Sequence, residues 1–182
     1  TSPIVTEYLK NQNDPELQAR AQAYTEEYFS KLNNWEGIYI GQWDTTICLT
    51  HGNPAVVGKQ FRTDETKQKE LMDAMLKAGD GVYNIGIIQS PASGDIVVSM
   101  YAAVYDEAGN PIGYVGAGEY VKTVIETFDH TKELNLESAY TYVVSAEGIM
   151  LYHPDESKIG NPVENSVVKG LVAEMQAGNH PA

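Results

Sequence analysis

Two ten-residue stretches of the chain, LTHGNPAVVG at residues 49–58 and LYHPDESKIG at residues 151–160, follow one pattern. In each, a leucine is followed two positions later by a histidine, His51 or His153, and seven positions further by a glycine. Each stretch comes directly after a β-rich apolar run and before a helical pattern. We therefore interpret each as the exit from a second strand into a loop that leads to a helix, repeated once per folding unit.

The elements around the first stretch predict an antiparallel sheet. Residues 37–121 read as strand, strand, helix, strand, strand, strand, and short polar links between neighbouring strands favour antiparallel pairing. Thr63 or Asp64 can cap the helix, and Gly79 can end it. Upstream, Asp14 and Pro15 are typical of a helix start. One face of that helix is apolar and comprises Leu17, Ala21, Tyr24, Tyr28 and Leu32.

The second stretch belongs to a partial repeat of that order. AYTYVVSAEGIMLYHP predicts a hairpin, and SVVKGLVAEMQAG predicts a helix that a glycine ends. The sequence thus predicts an α+β fold in four parts. They are an N-terminal helical segment at 1–36, a first unit at 37–121, a connecting helix at 122–136 and a partial second unit at 137–182.

The composition limits the partners of the chain. A net charge of −13 among 182 residues disfavours nucleic acid and anionic membrane surfaces. The single cysteine, Cys48, lies in an apolar run and is predicted to be a small core residue. No run of 18 apolar residues is present, and Thr1 is not an initiator residue. We expect the chain to be an excised piece whose flanking membrane helices lie outside it.

A long N-terminal helix followed by two units with H…G loops resembles the double Cache sensor domain, a PAS-like family of bacterial receptors. YTYVVSAEGIMLYHPDESKIG is similar to the start of its membrane-proximal unit. WEGIYIGQWDTTICLTHGNPAVVG and GIIQSPASGDIVVSMYAAVYDEAGNPIGYVGAG are similar to its membrane-distal unit. The resemblance implies a PAS-like five-stranded antiparallel sheet unit, the start of a second PAS-like unit, and an extracytoplasmic sensor of a chemoreceptor or related signalling protein.

Several aromatic and hydroxyl side chains are candidate ligand contacts in the first unit. Tyr39 and Trp43 are four residues apart on the first predicted strand and are expected to share a face, with Tyr83 in a similar role. The alternative is that all three are core aromatics. One face of the fourth predicted strand mixes hydroxyl and small side chains, and it either lines a ligand pocket or is exposed to solvent. This face comprises Val97, Ser99, Tyr101, Ala103 and Tyr105. Its other face reads as core and comprises Val98, Met100, Ala102 and Val104.

Two charged residues complete the candidate site. Arg62 lies just before the predicted helix, where its guanidinium could hold a ligand carboxylate or form a surface salt bridge with Asp64 or Glu65. Glu119 lies in the last strand of the first unit. The resemblance to the amino-acid-binding subset of double Cache domains implies an acidic ligand contact there; Asp44 is another candidate for a ligand amine.

Catalytic and metal-binding patterns are weak in this sequence. His51 and His153 have no second histidine or cysteine at ligand spacing and are expected to hydrogen-bond the loop backbone. The run from Gly116 to Gly118 lacks the third glycine of a dinucleotide-binding turn. We predict a non-enzymatic sensor of an amino acid, carboxylate or similar metabolite, without a cofactor. The N-terminal helix could pair with a second copy, and the alternative function is a ligand-free spacer.

Overall fold

The computed structural model describes residues 2–128 and 138–179, which form helices and antiparallel sheets. The helices are α1 (Pro3–Lys10), α2 (Pro15–Phe29), α3 (Glu65–Ala78), α4 (Val121–Phe128) and α5 (Ser166–Gln176). The strands are β1 (Trp35–Gly41), β2 (Cys48–His51), β3 (Tyr83–Gln89), β4 (Ile96–Tyr105), β5 (Pro111–Tyr120), β6 (Val143–Val144) and β7 (Met150–Tyr152). The predicted α+β fold class is confirmed.

The chain divides into two compact units, Thr1–Tyr120 and Val121–Ala182. The first contains a five-stranded sheet in the order β2-β1-β5-β4-β3, and each neighbouring pair is antiparallel. The second contains the two-stranded sheet β6-β7. The predicted connecting helix is present as α4 up to Phe128, and its remaining residues lie outside the described ones. In the described parts of the chain, no helix has the length and apolar character that a membrane span requires.

The helices α1 and α2 cover one face of the five-stranded sheet. The Asp14 carboxylate accepts hydrogen bonds from the backbone N–H groups of Glu16 and Leu17, and Pro15 occupies the first helical position. This cap fixes the start of α2 as predicted. The buried cluster beneath the two helices comprises Val5, Tyr8, Leu9, Ala21, Ile40 and Val104.

The apolar face of α2 is largely used within the first unit. Leu17, Ala21 and Tyr24 pack in or against the cluster beneath the helices. Tyr28 remains 50% exposed, and Leu32 follows the end of the helix at Phe29. Little of the apolar face from which we predicted a homodimer is therefore left for a second copy, and the dimer stays a prediction.

The helix α3 and the loop before it cover the opposite face of the sheet. The Asp64 carboxylate accepts a hydrogen bond from the N–H of Lys67, and Gly79 ends the helix with a φ of +60°. The buried cluster on this face comprises Tyr39, Cys48, Val56, Leu71, Met75, Tyr101 and Tyr114. Burial raises the pKa of the Cys48 thiol to about 12, so this cysteine is a core residue, as predicted.

Both faces of β4 are covered, which decides between the two interpretations of its mixed face. Ser99 and Tyr101 lie on the α3 side and are only 6% and 2% exposed, so the interpretation of this face as solvent-exposed is wrong. Val104 lies in the cluster beneath α1 and α2, as predicted, but Val98, Met100 and Ala102 of the same predicted core face are only half-buried.

The two histidines of the repeated stretches make the same hydrogen bond. His51 Nδ1 accepts from the N–H of Asn53 at 2.8 Å, and His153 Nδ1 accepts from the N–H of Asp155 at 2.9 Å. Both imidazoles are buried. Each ring closes the turn after its strand, which confirms that the histidines hydrogen-bond the loop backbone.

The two glycines of the repeated stretches also match. The N–H of Gly58 donates to the carbonyl of Cys48 at 2.7 Å, and the N–H of Gly160 donates to the carbonyl of Met150 at 2.8 Å. Their φ angles are +83° and +80°, which favour glycine because it has no Cβ. The repeated sequence therefore specifies the same loop conformation in both units.

Candidate functional site

A contiguous group of aromatic rings lies on the α3 side of the five-stranded sheet. The Tyr39 ring stacks on His51 with centroids 5.6 Å apart, and it meets Phe61 and Tyr114 edge-on at 5.3 and 6.0 Å. The rings of Tyr114 and Tyr101 lie 6.2 Å apart. Because Tyr39, Tyr101 and Tyr114 come from three adjacent strands, the sheet register itself brings the rings together.

Glycines on the neighbouring strands make room for these rings. A Cβ added to Gly116 would lie 2.4 Å from the Tyr39 ring, and one added to Gly37 would lie 2.5 Å from the His51 ring. Gly116 lies inside β5, not in a turn before a helix. Gly116 thus allows the Tyr39 ring to pack closely on the backbone of β5.

We expect Gly116→Ala to destabilise the first unit by about 1 kcal/mol, because the new methyl group must displace the Tyr39 ring from a packed position. Urea unfolding followed by tryptophan fluorescence measures this change, since the only tryptophans are Trp35 and Trp43, both in the first unit. Gly170→Ala in α5, where nothing lies within 4 Å of the added Cβ, is the control for the substitution itself, and its unfolding is followed by far-UV circular dichroism because α5 lies in the second unit. Equal effects of the two substitutions would contradict the packing argument.

Arg62 lies at the edge of this aromatic group, and the loop holds its backbone in place. Thr46 Oγ1 donates to the Arg62 carbonyl at 3.1 Å and accepts from the Arg62 N–H at 3.3 Å. The guanidinium lies over the Tyr101 ring, 5.0 Å from its centroid, and Nη2 donates to the Tyr101 hydroxyl at 2.7 Å. Ser99 Oγ donates to the same hydroxyl at 2.8 Å.

Three buried polar atoms of this region have no hydrogen-bond partner among the described residues: His51 Nε2, Arg62 Nη1 and Tyr114 Oη. Since His51 Nδ1 accepts from Asn53, the neutral ring carries its proton on Nε2. Each of the three atoms can therefore donate a hydrogen bond. Buried donors of this kind are normally satisfied, so each marks a place where an acceptor would be stabilised. They do not form one cluster, because His51 Nε2 lies beside Gly37 and Tyr114 Oη beside Gly41, four residues further along β1.

The charges of the region favour an anion. None of the ion pairs between described residues includes Arg62, so its guanidinium lacks a carboxylate partner. Burial acts to lower the pKa of Arg62, but the nearby tyrosine oxygens, Tyr101 first, outweigh it, so the pKa is raised and the group stays cationic. Burial raises the pKa of Tyr39 and Tyr114 and lowers that of His51, which keeps these three groups neutral.

Neither a protein-family model nor a curated protein matches the sequence significantly. Solved structures do match. The sensor domain of the V. cholerae histidine kinase DctB has a TM-score of 0.67 and 11% identity, and the match covers 98% of this chain and 64% of that one. An extracellular ligand binding receptor from Desulfohalobium retbaense has a TM-score of 0.62 and 15% identity, with 85% and 27% covered. The chain has a Cache-type sensor fold.

A third match is the ligand-binding domain of the Pseudomonas aeruginosa amino acid chemoreceptor PctC in complex with GABA. Its TM-score is 0.54 at 19% identity, and the match covers 92% of this chain and 66% of that one. All three neighbours are sensor or receptor ligand-binding domains. At these identities the likeness establishes the Cache fold alone. This chain spans between 27% and 66% of the length of these three neighbours.

The Cache fold brings five of the seven predicted ligand contacts together on the α3 side: Tyr39, Arg62, Tyr83, Ser99 and Tyr101. Tyr83 is paired with Tyr101 across β3 and β4, and their rings lie 6.5 Å apart. The alternative salt bridge of Arg62 with Asp64 is not formed; the Asp64 carboxylate caps α3 instead.

Of the other two predicted contacts, Trp43 packs against the same buried cluster from beyond the end of β1, and Glu119 lies elsewhere. β1 ends at Gly41, after a register shift against β2, so Trp43 is not on the strand, contrary to our prediction. It still packs against the edge of the buried cluster. Glu119 lies on the face of β5 opposite Tyr114, because side chains alternate along the strand. Glu119 therefore cannot join Arg62 at one ligand.

The sequence analysis missed Tyr114, Phe61 and the free Nε2 of His51. For Tyr114 a signal was available, since it alternates with Gly116 on β5 and must share that face. Among residues 2–128 and 138–179, no group of histidine, cysteine and acidic side chains is arranged to hold a metal ion.

Proposed function

We propose that the first unit is a non-enzymatic sensing domain that binds a small carboxylate-containing metabolite at Arg62. The observation that carries this proposal is a largely buried guanidinium with no carboxylate partner among the described residues, whose Nη1 atom is buried and unpaired. The buried Nη1 atom leaves one donor of the guanidinium unsatisfied, and a ligand carboxylate would accept from it.

The structural neighbours support this ligand class. PctC is described in complex with GABA, and the Pseudomonas fluorescens chemoreceptor CtaA, at a TM-score of 0.50, in complex with L-alanine. Both ligands carry a carboxylate. For this chain we propose an amino acid, a carboxylate or a similar metabolite. The position of Glu119 on the other sheet face argues against its binding the amine of such a ligand.

We propose that the chain works outside the bacterial plasma membrane, as the sensing part of a transmembrane chemoreceptor or related signalling protein. The neighbours include a chemoreceptor domain, a histidine kinase sensor domain and a receptor described as extracellular. Ligand binding can change the output only if it favours one arrangement of the protein over another.

A thermal-shift screen of amino acids, small carboxylates, amines, purines and sugars tests the proposal. At least one carboxylate is expected to raise the melting temperature, since a ligand that binds only the folded state stabilises it. Arg62→Ala should abolish that shift. Arg20→Ala is the matched control, because Arg20 is half-exposed and pairs with Glu7 at 3.5 Å, away from the aromatic rings.

Two results would contradict the proposal. If no carboxylate raises the melting temperature, the ligand-free spacer becomes the better interpretation. If a carboxylate binds equally well to the folded Arg62→Ala protein, the site lies elsewhere even though the sensing function stands. Arg62→Lys separates charge from geometry, since lysine keeps the charge but loses the planar two-point contact.

A further inference from the structure

The second unit has a cavity of its own. It has a volume of about 390 Å³ and lies between the β6–β7 hairpin, the loop that follows it and the start of α5. Its polar and aromatic lining includes Tyr140, Tyr142, His153, Ser157, Lys158 and Glu164. The cavity is therefore suited to a ligand that has both an apolar body and a charge.

The repeat allows this cavity to be compared with the first unit position by position. An isolated antiparallel bridge joins Ile47 to Gln60, and the equivalent bridge joins Ile149 to Pro162. Each partner is shifted by the same 102 residues as the two quoted stretches. The equivalence of the two units thus extends beyond the glycines to this bridge and ends before the helices, whose N-caps Asp64 and Asn165 are 101 residues apart.

The residue two positions after the bridge has opposite charges in the two units. Two residues after the bridge, the first unit has Arg62, and the second unit has Glu164, which lines the cavity. A guanidinium at this place favours an anionic group, whereas a carboxylate favours a cationic one. The second cavity thus has a carboxylate in the loop segment where the first unit has a guanidinium.

The aromatic residues of the second cavity also favour a cation. The rings of Tyr140, Tyr142 and His153 lie between 5.0 and 6.1 Å from one another and form one wall. Tyr142 and His153 are tilted at 43° to each other, whereas Tyr39 and His51 in the first unit are stacked. The negative faces of tyrosine rings attract ammonium groups, and a carboxylate beside them adds to this attraction.

We propose that the second unit contains a separate binding site for a small ammonium compound, held between the aromatic wall and the Glu164 carboxylate. The ammonium group lies against Tyr140 and Tyr142, and Glu164 balances its charge. Lys158 lines the same cavity, so a ligand that carries a carboxylate besides its ammonium group can also be accommodated. This site does not depend on the carboxylate site of the first unit.

Choline and its neutral isostere 3,3-dimethylbutan-1-ol test the proposal on the whole 182-residue chain. The two molecules have the same shape and differ in charge. In NMR titrations of the isotope-labelled protein at low salt, choline is expected to shift the signals of Tyr142 and His153 in a saturable manner. The neutral isostere is expected to leave these signals unchanged. Equal shifts with both molecules, or none with choline, would overturn the proposal.

Variants then locate the site. Glu164→Gln is expected to weaken choline binding about threefold to tenfold, as the loss of one partly exposed charge contact implies. Glu156→Gln is the matched control, because Glu156 is exposed in the same loop and does not line the cavity. Arg62→Ala should leave choline binding unchanged. Choline binding that Glu164→Gln does not weaken, or that Arg62→Ala abolishes, would also overturn the proposal.

Discussion

Replacing Tyr101 with phenylalanine is expected to destabilise the first unit by about 1 to 3 kcal/mol, although the substitution removes only one oxygen atom. That oxygen accepts hydrogen bonds from both Arg62 and Ser99. Without it, a cationic donor and a buried hydroxyl both lose their partner. Leaving such groups unpaired costs more than the net gain of an average hydrogen bond.

Tyr114→Phe is the matched comparison, because it removes the same atom from a ring in the same cluster. The Tyr114 hydroxyl is buried and has no partner among the described residues, so its removal is expected to cost nothing or to stabilise the unit slightly. Urea unfolding followed by tryptophan fluorescence gives both free energies. Equal effects of the two substitutions would show that the Arg62–Tyr101–Ser99 contacts do not stabilise the ligand-free protein.

Replacing Arg62 with methionine is expected to change the stability of the ligand-free first unit by less than about 1 kcal/mol and to abolish carboxylate binding, because the removal of the unpaired Nη1 atom offsets the loss of the contacts with Tyr101. Methionine fills a similar volume without a charge, so the unpaired Nη1 atom disappears. Tyr101 keeps the hydrogen bond from Ser99. The residue that we propose for ligand binding would then be one that the fold itself does not need.

Unfolding curves of the Arg62→Met protein measure its stability, and the thermal-shift screen on the same protein measures carboxylate binding. Arg20→Met serves as the control for replacing an arginine on the surface. A variant that is less stable and also unresponsive would mean that Arg62 is chiefly a structural residue. That outcome would remove the main argument for a carboxylate site.

The order of the elements and several helix ends could be predicted because local chemistry determines them. Asp14, Pro15, Asp64 and Gly79 act at helix ends through contacts within a few residues, and each occupies its predicted position. Likewise, the repeated histidines and glycines act within their own loops. Such short-range effects can be recognised in one sequence without knowledge of the tertiary structure.

Which residues form the candidate site was harder to predict, because this depends on strand register and on where each strand ends. Trp43 was expected on β1, but the register shift between Ile40 and Gly41 ends the strand before it. Glu119 was assigned from a family resemblance, although its odd spacing from Tyr114 already places the two on opposite faces. The unpaired state of Arg62 depends on every neighbour at once and cannot be obtained from sequence spacing.

The alternation of β4 has a mechanical consequence. Tyr101 bonds to Arg62 on one side of the sheet, and Val104, three residues along, packs beneath α1 and α2 on the other. Only one layer of backbone separates the proposed ligand from the N-terminal helices. A ligand that drew Arg62 away from Tyr101 would act directly on β4, and the other face of β4 packs against those helices. The effect of binding could therefore reach α1 and α2 without a long chain of intervening contacts.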